Sequence, residues 1–112
     1  MIVNINKVKI VVTVPSENVE EVRSAMCNAG GGIIGNYTFC TSSSKSIVTF
    51  IPNEKANPYI GISNKLEFVE EERVETVCDI DNVKSVINEL RKAHPYEEPA
   101  IDIIPLIDEK SL

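Results

Sequence analysis

The chain has 112 residues, of which 43% are hydrophobic and 25% charged, and this length and composition suit one soluble globular domain, residues 1–112. The net charge of −6 argues against a nucleic-acid partner, because such binding requires Lys and Arg side chains to neutralise phosphates. No stretch approaches the ~20 apolar residues that cross a bilayer, and the N-terminus lacks the continuous apolar core of a signal peptide, so we expect a cytoplasmic protein without membrane contact.

A strand and a helix are predicted at the start of the chain. Residues 7–14, "KVKIVVTV", are rich in β-branched side chains, which favour a strand. A helix follows, with Ser16 as its N-cap and Gly30 as the left-handed residue after its last turn.

The glycines after this helix match a nucleotide-binding pattern in spacing only. Gly30, Gly32 and Gly35 satisfy G-x-G-x-x-G. That pattern binds a pyrophosphate when it follows a strand and opens a helix, because free N–H groups then face the anion. Here it follows a helix, so the loop faces carbonyl groups at the negative end of the helix dipole. We therefore interpret it as a helix stop that does not bind a nucleotide.

Two strands are predicted in the middle of the chain. They cover residues 33–40 and 46–51 and flank the polar turn "TSSSK", residues 41–45. An extra full strand between two helices would invert the direction of every later element. Either the two segments form a single bent strand, or the connection 52–64, rich in Pro and Asn, crosses back along the sheet. The sequence leaves both paths open.

The second half predicts a strand, a helix and a final strand. The strand covers residues 65–78, and its acidic run 70–72 is typical of a solvated segment. Asp81 is the predicted cap of the second helix, Pro95 ends it, and "AIDIIPL", residues 100–106, supplies the last strand. The side chains on one face of the first of these strands are Phe68, Val74, Thr76 and Cys78.

This order of elements predicts an α+β fold. Strand, helix, strands, helix and strand most economically form an antiparallel sheet with both helices on one face, the ferredoxin-like split βαβ arrangement. An open sheet of this kind leaves unpaired backbone groups at its edges, which favours self-association. We expect a dimer or a trimer.

The segment "HPYEEP" holds the side chains best suited to chemistry. It contains the only histidine, His94, next to Tyr96, Glu97 and Glu98. Imidazole beside carboxylates suits metal binding or proton transfer. The favoured interpretation is structural: the prolines stiffen the connection, the tyrosine anchors it by packing, and the imidazole donates a hydrogen bond near the last carbonyls of the helix.

A divalent metal is the alternative ligand of this loop, with His94, Cys40 and Glu97 as its residues. The split βαβ arrangement places the thiol and the imidazole on opposite edges, three strand spacings or ~14 Å apart. Such a set therefore requires a neighbouring subunit.

The cysteines and the single histidine argue against catalysis. Cys27, Cys40 and Cys78 are odd in number and widely spaced, so they predict buried thiols and no disulfide framework. One histidine without a partnered nucleophile makes a catalytic triad a poor interpretation. We expect no enzyme and no cofactor.

Four segments in order resemble a known family. "IGNYTFC", "TFIPNEKANPYIG", "KLEFVEEERVET" and "HPYEEPAIDIIPL" resemble the small domain inserted in the middle of the Nif-three-like proteins, over about residues 7–107. The ending "HPYEEPAI", preceded by "NKLEF", also resembles the CutA divalent-cation-tolerance proteins. The resemblance implies the trimeric ferredoxin-like fold that CutA shares with the PII signalling proteins.

The resemblance also limits the function. In the parent family a dinuclear metal centre is built by several histidines in the two flanking halves, and this chain has one histidine. A hydrolase or cyclohydrolase activity is therefore not carried over. Many members have a histidine immediately before the cysteine of the G-N-Y segment, whereas Phe39 precedes Cys40 here, which weakens a metal-ligand role for this thiol.

The resulting hypothesis is a non-catalytic, self-associating module of the PII and CutA kind, either regulatory or structural. It would bind a small ligand or a protein partner. Its candidate ligand-binding residues are Tyr37, His94, Tyr96, Glu97 and Glu98.

Overall fold

A four-stranded antiparallel sheet with two helices on one face forms the protein, as the sequence predicts. The structure, a computed structural model, describes residues 4–112. The sheet order is β2-β3-β1-β4, which is the ferredoxin-like order. The strands and helices in chain order are β1 (Lys7–Pro15), α1 (Val19–Asn28), β2 (Thr41–Phe50), β3 (Glu67–Asp79), α2 (Val83–Ala93) and β4 (Ile101–Leu106).

The core lies between the central strands and the two helices. Alternate residues of β1 point to the helices, because side chains alternate between the faces of a strand. Met26 of α1 and Leu90 of α2 are fully buried against them. The buried side chains of β1 on this face are Val8, Ile10, Val12 and Val14.

The second strand differs from its prediction. Residues 41–45, predicted as a turn, form the first half of β2 and pair with β3, with Thr41 opposite Thr76. Residues 33–40, predicted as a strand, are irregular apart from one bridge between Ile34 and Tyr37. The serine-rich segment is polar because β2 is an edge strand whose side chains are mostly exposed.

This correction removes the extra strand that the sequence predicted between the two helices. A single strand, β2, lies between α1 and β3 on that side of the sheet, so the direction of the later elements is not inverted. Residues 51–66 connect β2 to β3 without regular structure. Phe39 has a φ of 56°, a left-handed conformation that interrupts an extended chain just before β2 begins.

Both predicted helix caps are wrong. Ser16 and Asp81 lie in short 3₁₀ turns that precede the helices, and neither side chain caps a helix end. The α-helices begin three and two residues later, at Val19 and Val83. The end of α2 is as predicted: its last residue is Ala93, just before the dipeptide that contains Pro95.

The predicted glycine helix stop is confirmed. Gly30 has a φ of 115°, and its N–H donates to the carbonyl of Cys27 at 3.3 Å. The N–H of Gly31 donates to Met26 at 3.0 Å, which completes a Schellman motif. The N–H of Gly32 donates to a carbonyl of β3 at 2.7 Å. All three amides therefore donate to the backbone of the chain itself.

Across residues 4–112, no helix has the length and apolar character that crossing a membrane requires.

Candidate functional site

A cleft of about 440 Å³ lies between two loops at the end of the sheet. One wall is the connection after β2, residues 51–60, and the other is the loop 94–100 before β4. The floor includes Thr13 of β1. Its neighbours Val12 and Val14 are buried against the helices, so this threonine points to the opposite, helix-free face of the sheet.

Tyr96 is the central side chain of the cleft. Its ring lies 6.1 Å from that of Phe50 in an edge-to-face arrangement and 6.2 Å from that of Tyr59. Its hydroxyl donates a short hydrogen bond to the Glu71 carboxylate. Burial, together with this carboxylate, raises the pKa of the Tyr96 phenol far above its usual value. The phenol therefore stays protonated and serves as a hydrogen-bond donor.

His94 fixes the loop that carries this tyrosine. It is 6% exposed, and its Nε2–H donates to the carbonyl of Thr13 at 2.8 Å. Its Nδ1 accepts the N–H of Tyr96 at 3.1 Å, so the proton lies on Nε2. Burial lowers the pKa of the imidazole, which favours its neutral form. The predicted structural role matches these contacts, although the acceptor is β1 and not the end of α2.

Glu97 joins the two walls of the cleft. Its carboxylate accepts the N–H of Asn57 at 2.8 Å, so the connection after β2 is tied to the loop before β4. Glu98 also lines the cleft, and both side chains are exposed. The two loops are therefore joined by a hydrogen bond of the protein's own.

Two predicted site residues lie elsewhere. Tyr37 and Cys40 precede Thr41, which begins β2, whereas the cleft lies at the Phe50 end of this strand. Ten extended residues separate these ends by roughly 30 Å. The predicted ligand set is thus divided: Tyr96, Glu97 and Glu98 line the cleft, His94 is buried behind Tyr96, and Tyr37, 74% exposed, lies away from it.

The predicted metal set is divided in the same way. Cys40 lies far from His94, whose two ring nitrogens both form hydrogen bonds within the chain. In the part of the chain that the structure describes, no three His, Cys, Asp or Glu side chains are grouped as metal ligands would be. Divalent metal binding at this loop stays a prediction.

The sequence interpretation missed Glu71, the buried carboxylate of the cleft. It belongs to the acidic run predicted to be solvated, yet only 1% of its surface is exposed. Glu70 and Glu72, its neighbours, point to the other face. Phe68, predicted to face the core, does share a face with Val74 but is 69% exposed, because this part of β3 extends beyond the end of β1, whose last partner in β3 is Glu71. Alternation was the available signal, but it does not reveal which loop covers a face.

Comparison with known proteins gives relatives over most of this chain. No family model matches. A protein of Halalkalibacterium halodurans named GTP cyclohydrolase 1 type 2 homolog is 48% identical over 101 residues, which are 90% of this chain and 27% of that protein. The chain thus spans about a quarter of the length of the curated relatives that it matches.

The solved structures similar to this chain include a NIF3-related protein, CutA and GlnK. A Bacillus cereus protein related to NIF3 has a TM-score of 0.81 and 43% identity, over 93% of this chain and 26% of that one. The divalent cation tolerance protein CutA of Archaeoglobus fulgidus has a TM-score of 0.66 at 19% identity, over 89% and 83%. GlnK of Bacillus subtilis has 0.61 at 12%, over 90% and 85%. The last two share the fold, and the predicted resemblance is confirmed.

Proposed function

Because this chain corresponds to the CutA/PII-like segment of the NIF3-related proteins, we propose that it is a non-catalytic, self-associating module that binds a small ligand in the Tyr96 cleft. The observation that carries the proposal is the preformed cleft itself. Its walls are joined by Glu97 and its loop is fixed by His94. A concave, largely apolar site with a few polar groups is typical of small-ligand binding.

The chemistry of the cleft favours binding over catalysis. Proton transfer requires a group whose pKa lies near the working pH and whose proton site is free. The phenol of Tyr96 has a strongly raised pKa, and both nitrogens of His94 are engaged by the backbone. The cyclohydrolase named for the curated relatives concerns proteins nearly four times as long as the matched segment. We assign to this segment a regulatory or structural role.

Ligand binding is tested by NMR titration of the purified chain with a panel of amines, carboxylates, alcohols and nucleotides. We expect amide shifts confined to residues 51–60 and 94–100. The variant Ala100→Trp, which places a large side chain at the exposed rim of the cleft, should weaken binding at least about tenfold.

The matched control is Ser85→Trp on the exposed face of α2, which should bind as the wild type does. Amide shifts on titration that are the same in Ala100→Trp as in the wild type would place the ligand outside the cleft. Turnover of any panel member would contradict the non-catalytic assignment.

The shape of the sheet supports the proposed self-association. The ladder between β2 and β3 continues beyond β1, whose partners in β3 end at Glu71. On this projecting ribbon Ile47 and Phe68 are diagonal neighbours, and they are 73% and 69% exposed. Such a patch beside an open strand edge favours burial against a second copy.

We expect Phe68→Asp to reduce the mass in solution toward the 12.4 kDa of one chain, because it places a charge in the patch that a second copy would cover. Light scattering after size exclusion measures this mass. Tyr37→Asp is the matched control, since this aromatic ring is similarly exposed but lies outside the ribbon. A wild-type chain that is monomeric at all concentrations would refute self-association.

A further inference from the structure

We propose that the ligand of the Tyr96 cleft is a small organic cation, an amine with an apolar body, whose charge pairs with Glu71 while the aromatic rings cover its body. This inference rests on the proposed function and names the chemical class of its ligand. It depends on three features of the cleft: a buried carboxylate, a set of aromatic rings and an absence of basic side chains.

The buried carboxylate lacks a cationic partner. Glu71 is 1% exposed, and its hydrogen bond comes from a neutral phenol, that of Tyr96. Its cross-strand neighbours are Ser46 and Pro15, and neither carries a charge. No ion pair within residues 4–112 includes this carboxylate. A buried charge is costly unless it is paired, so a cation that enters the cleft would gain a strong partner.

The charge around the cleft selects against anions. Glu97 and Glu98 line it together with Glu71, and over the described part of the chain no Lys or Arg is among the lining residues. Glu17 lies close enough to raise the pKa of Tyr96 as well. An anionic ligand would meet uncompensated like charge here, whereas a cation is attracted by every ionised side chain of the lining.

The rings supply the contact for the body of the ligand. Phe50 and Tyr59 pack against Tyr96 with ring centroids about 6 Å apart, and all three rings line the cleft, so together they present a joined aromatic wall to a ligand. An ammonium group near an aromatic face gains a cation–π attraction, and the apolar body gains buried area. The volume of about 440 Å³ falls within the range of small-molecule sites.

Three probes of nearly the same shape test the charge of the ligand. They are 2-phenylethylammonium, 2-phenylethanol and 3-phenylpropanoate, titrated at pH 7 and followed by amide NMR. We expect the cation to bind in the cleft about tenfold more tightly than the alcohol, and the anion to bind least.

Variants of the cleft identify the side chain that interacts with the charge of the ligand. Glu71→Gln keeps an acceptor for the Tyr96 hydroxyl but removes the charge, so it should weaken the cation about tenfold and leave the alcohol unchanged. Glu70→Gln, one residue away on the opposite face, is the control and should change neither. Tyr59→Leu, at a half-exposed ring, should weaken the cation through lost aromatic contact and gives a second variant independent of the strand.

The outcomes separate this inference from the function on which it rests. Binding of the alcohol or the anion in the cleft as tightly as the cation would overturn the ligand class and leave a ligand-binding cleft. Cation shifts that are absent at millimolar concentration, or that persist in Glu71→Gln, would also overturn it. The broader panel and Ala100→Trp decide separately whether the cleft binds small molecules at all.

Discussion

We expect Tyr96→Phe to lower the free energy of unfolding by about 3 kcal/mol at pH 7. The substitution keeps the ring, and hence its contacts with Phe50, Tyr59 and His94. It removes the hydroxyl that donates to Glu71 and leaves a carboxylate that is 1% exposed without this donor. The cost is therefore that of a buried charge without a hydrogen-bond partner, and it exceeds the worth of one ordinary hydrogen bond. Urea unfolding followed by circular dichroism measures it.

Tyr59→Phe is the matched control for this prediction. Its ring also faces the cleft but is 51% exposed, so the loss of its hydroxyl should change stability by less than about 0.5 kcal/mol. A double-mutant cycle with Glu71→Gln then isolates the pair, because the neutral amide removes the charge that Tyr96→Phe would leave buried. Additive effects in this cycle would contradict the coupling of Tyr96 to Glu71.

The stability lost in Tyr96→Phe should depend on pH. The folded pKa of the Tyr96 phenol is raised, so its contribution is complete below the unfolded pKa of about 10 and is lost as the pH rises above it. The difference in stability between the wild type and Tyr96→Phe should therefore shrink above about pH 10. A difference that stays constant to higher pH would mean that burial does not hold this phenol protonated.

Local patterns were sufficient to predict most of the fold. The β-branched run of β1 and the helical spacing of α1 and α2 each depend on near neighbours in sequence, and these elements lie where they were expected. The error at residues 41–45 has a physical cause. Serines favour turns when only local energies count. At the edge of a sheet, however, pairing with β3 satisfies the backbone, and polar side chains there are compatible with exposure.

Only the part of the candidate site that lies in the loop before β4 could be predicted from the sequence. Tyr96 and its neighbours in "HPYEEP" attract notice as a cluster within a short segment, and the structure confirms that His94 and Tyr96 contact each other. Glu71 and Phe50 reach the cleft from other strands, 25 and 46 residues away in sequence. Their proximity follows from strand register and loop path, which no local pattern encodes. For this reason Glu71, whose carboxylate determines the proposed ligand class, was not among the predicted ligand-binding residues.

We expect Gly32→Ala to lower the free energy of unfolding by about 3 kcal/mol. Gly32 has a φ of 75°, which costs a residue with a side chain roughly 1 kcal/mol or more. Its added methyl would also lie 3.0 Å from the backbone nitrogen of Cys40 and 3.1 Å from the hydroxyl oxygen of Thr76. Relief by backbone movement is opposed, because Gly32 donates to Val77 at 2.7 Å and accepts from Cys40 at 2.9 Å. Thermal and urea unfolding measure the loss.

Gly35→Ala separates the two causes of this loss. Gly35 has a similar φ of 56°, but no atom lies within 4 Å of the position that its methyl would take. Only the backbone strain remains, so this variant should cost about 1 kcal/mol. Equal losses at the two positions would mean that strain alone explains both and that the crowding at Gly32 is relieved. A larger loss at Gly32 would support a structural reason for glycine at this position. The N–H and the carbonyl of Gly32 both form hydrogen bonds with the chain's own backbone. Such bonding is expected of the loop that ends a helix, whereas an anion-binding loop would keep its N–H groups free.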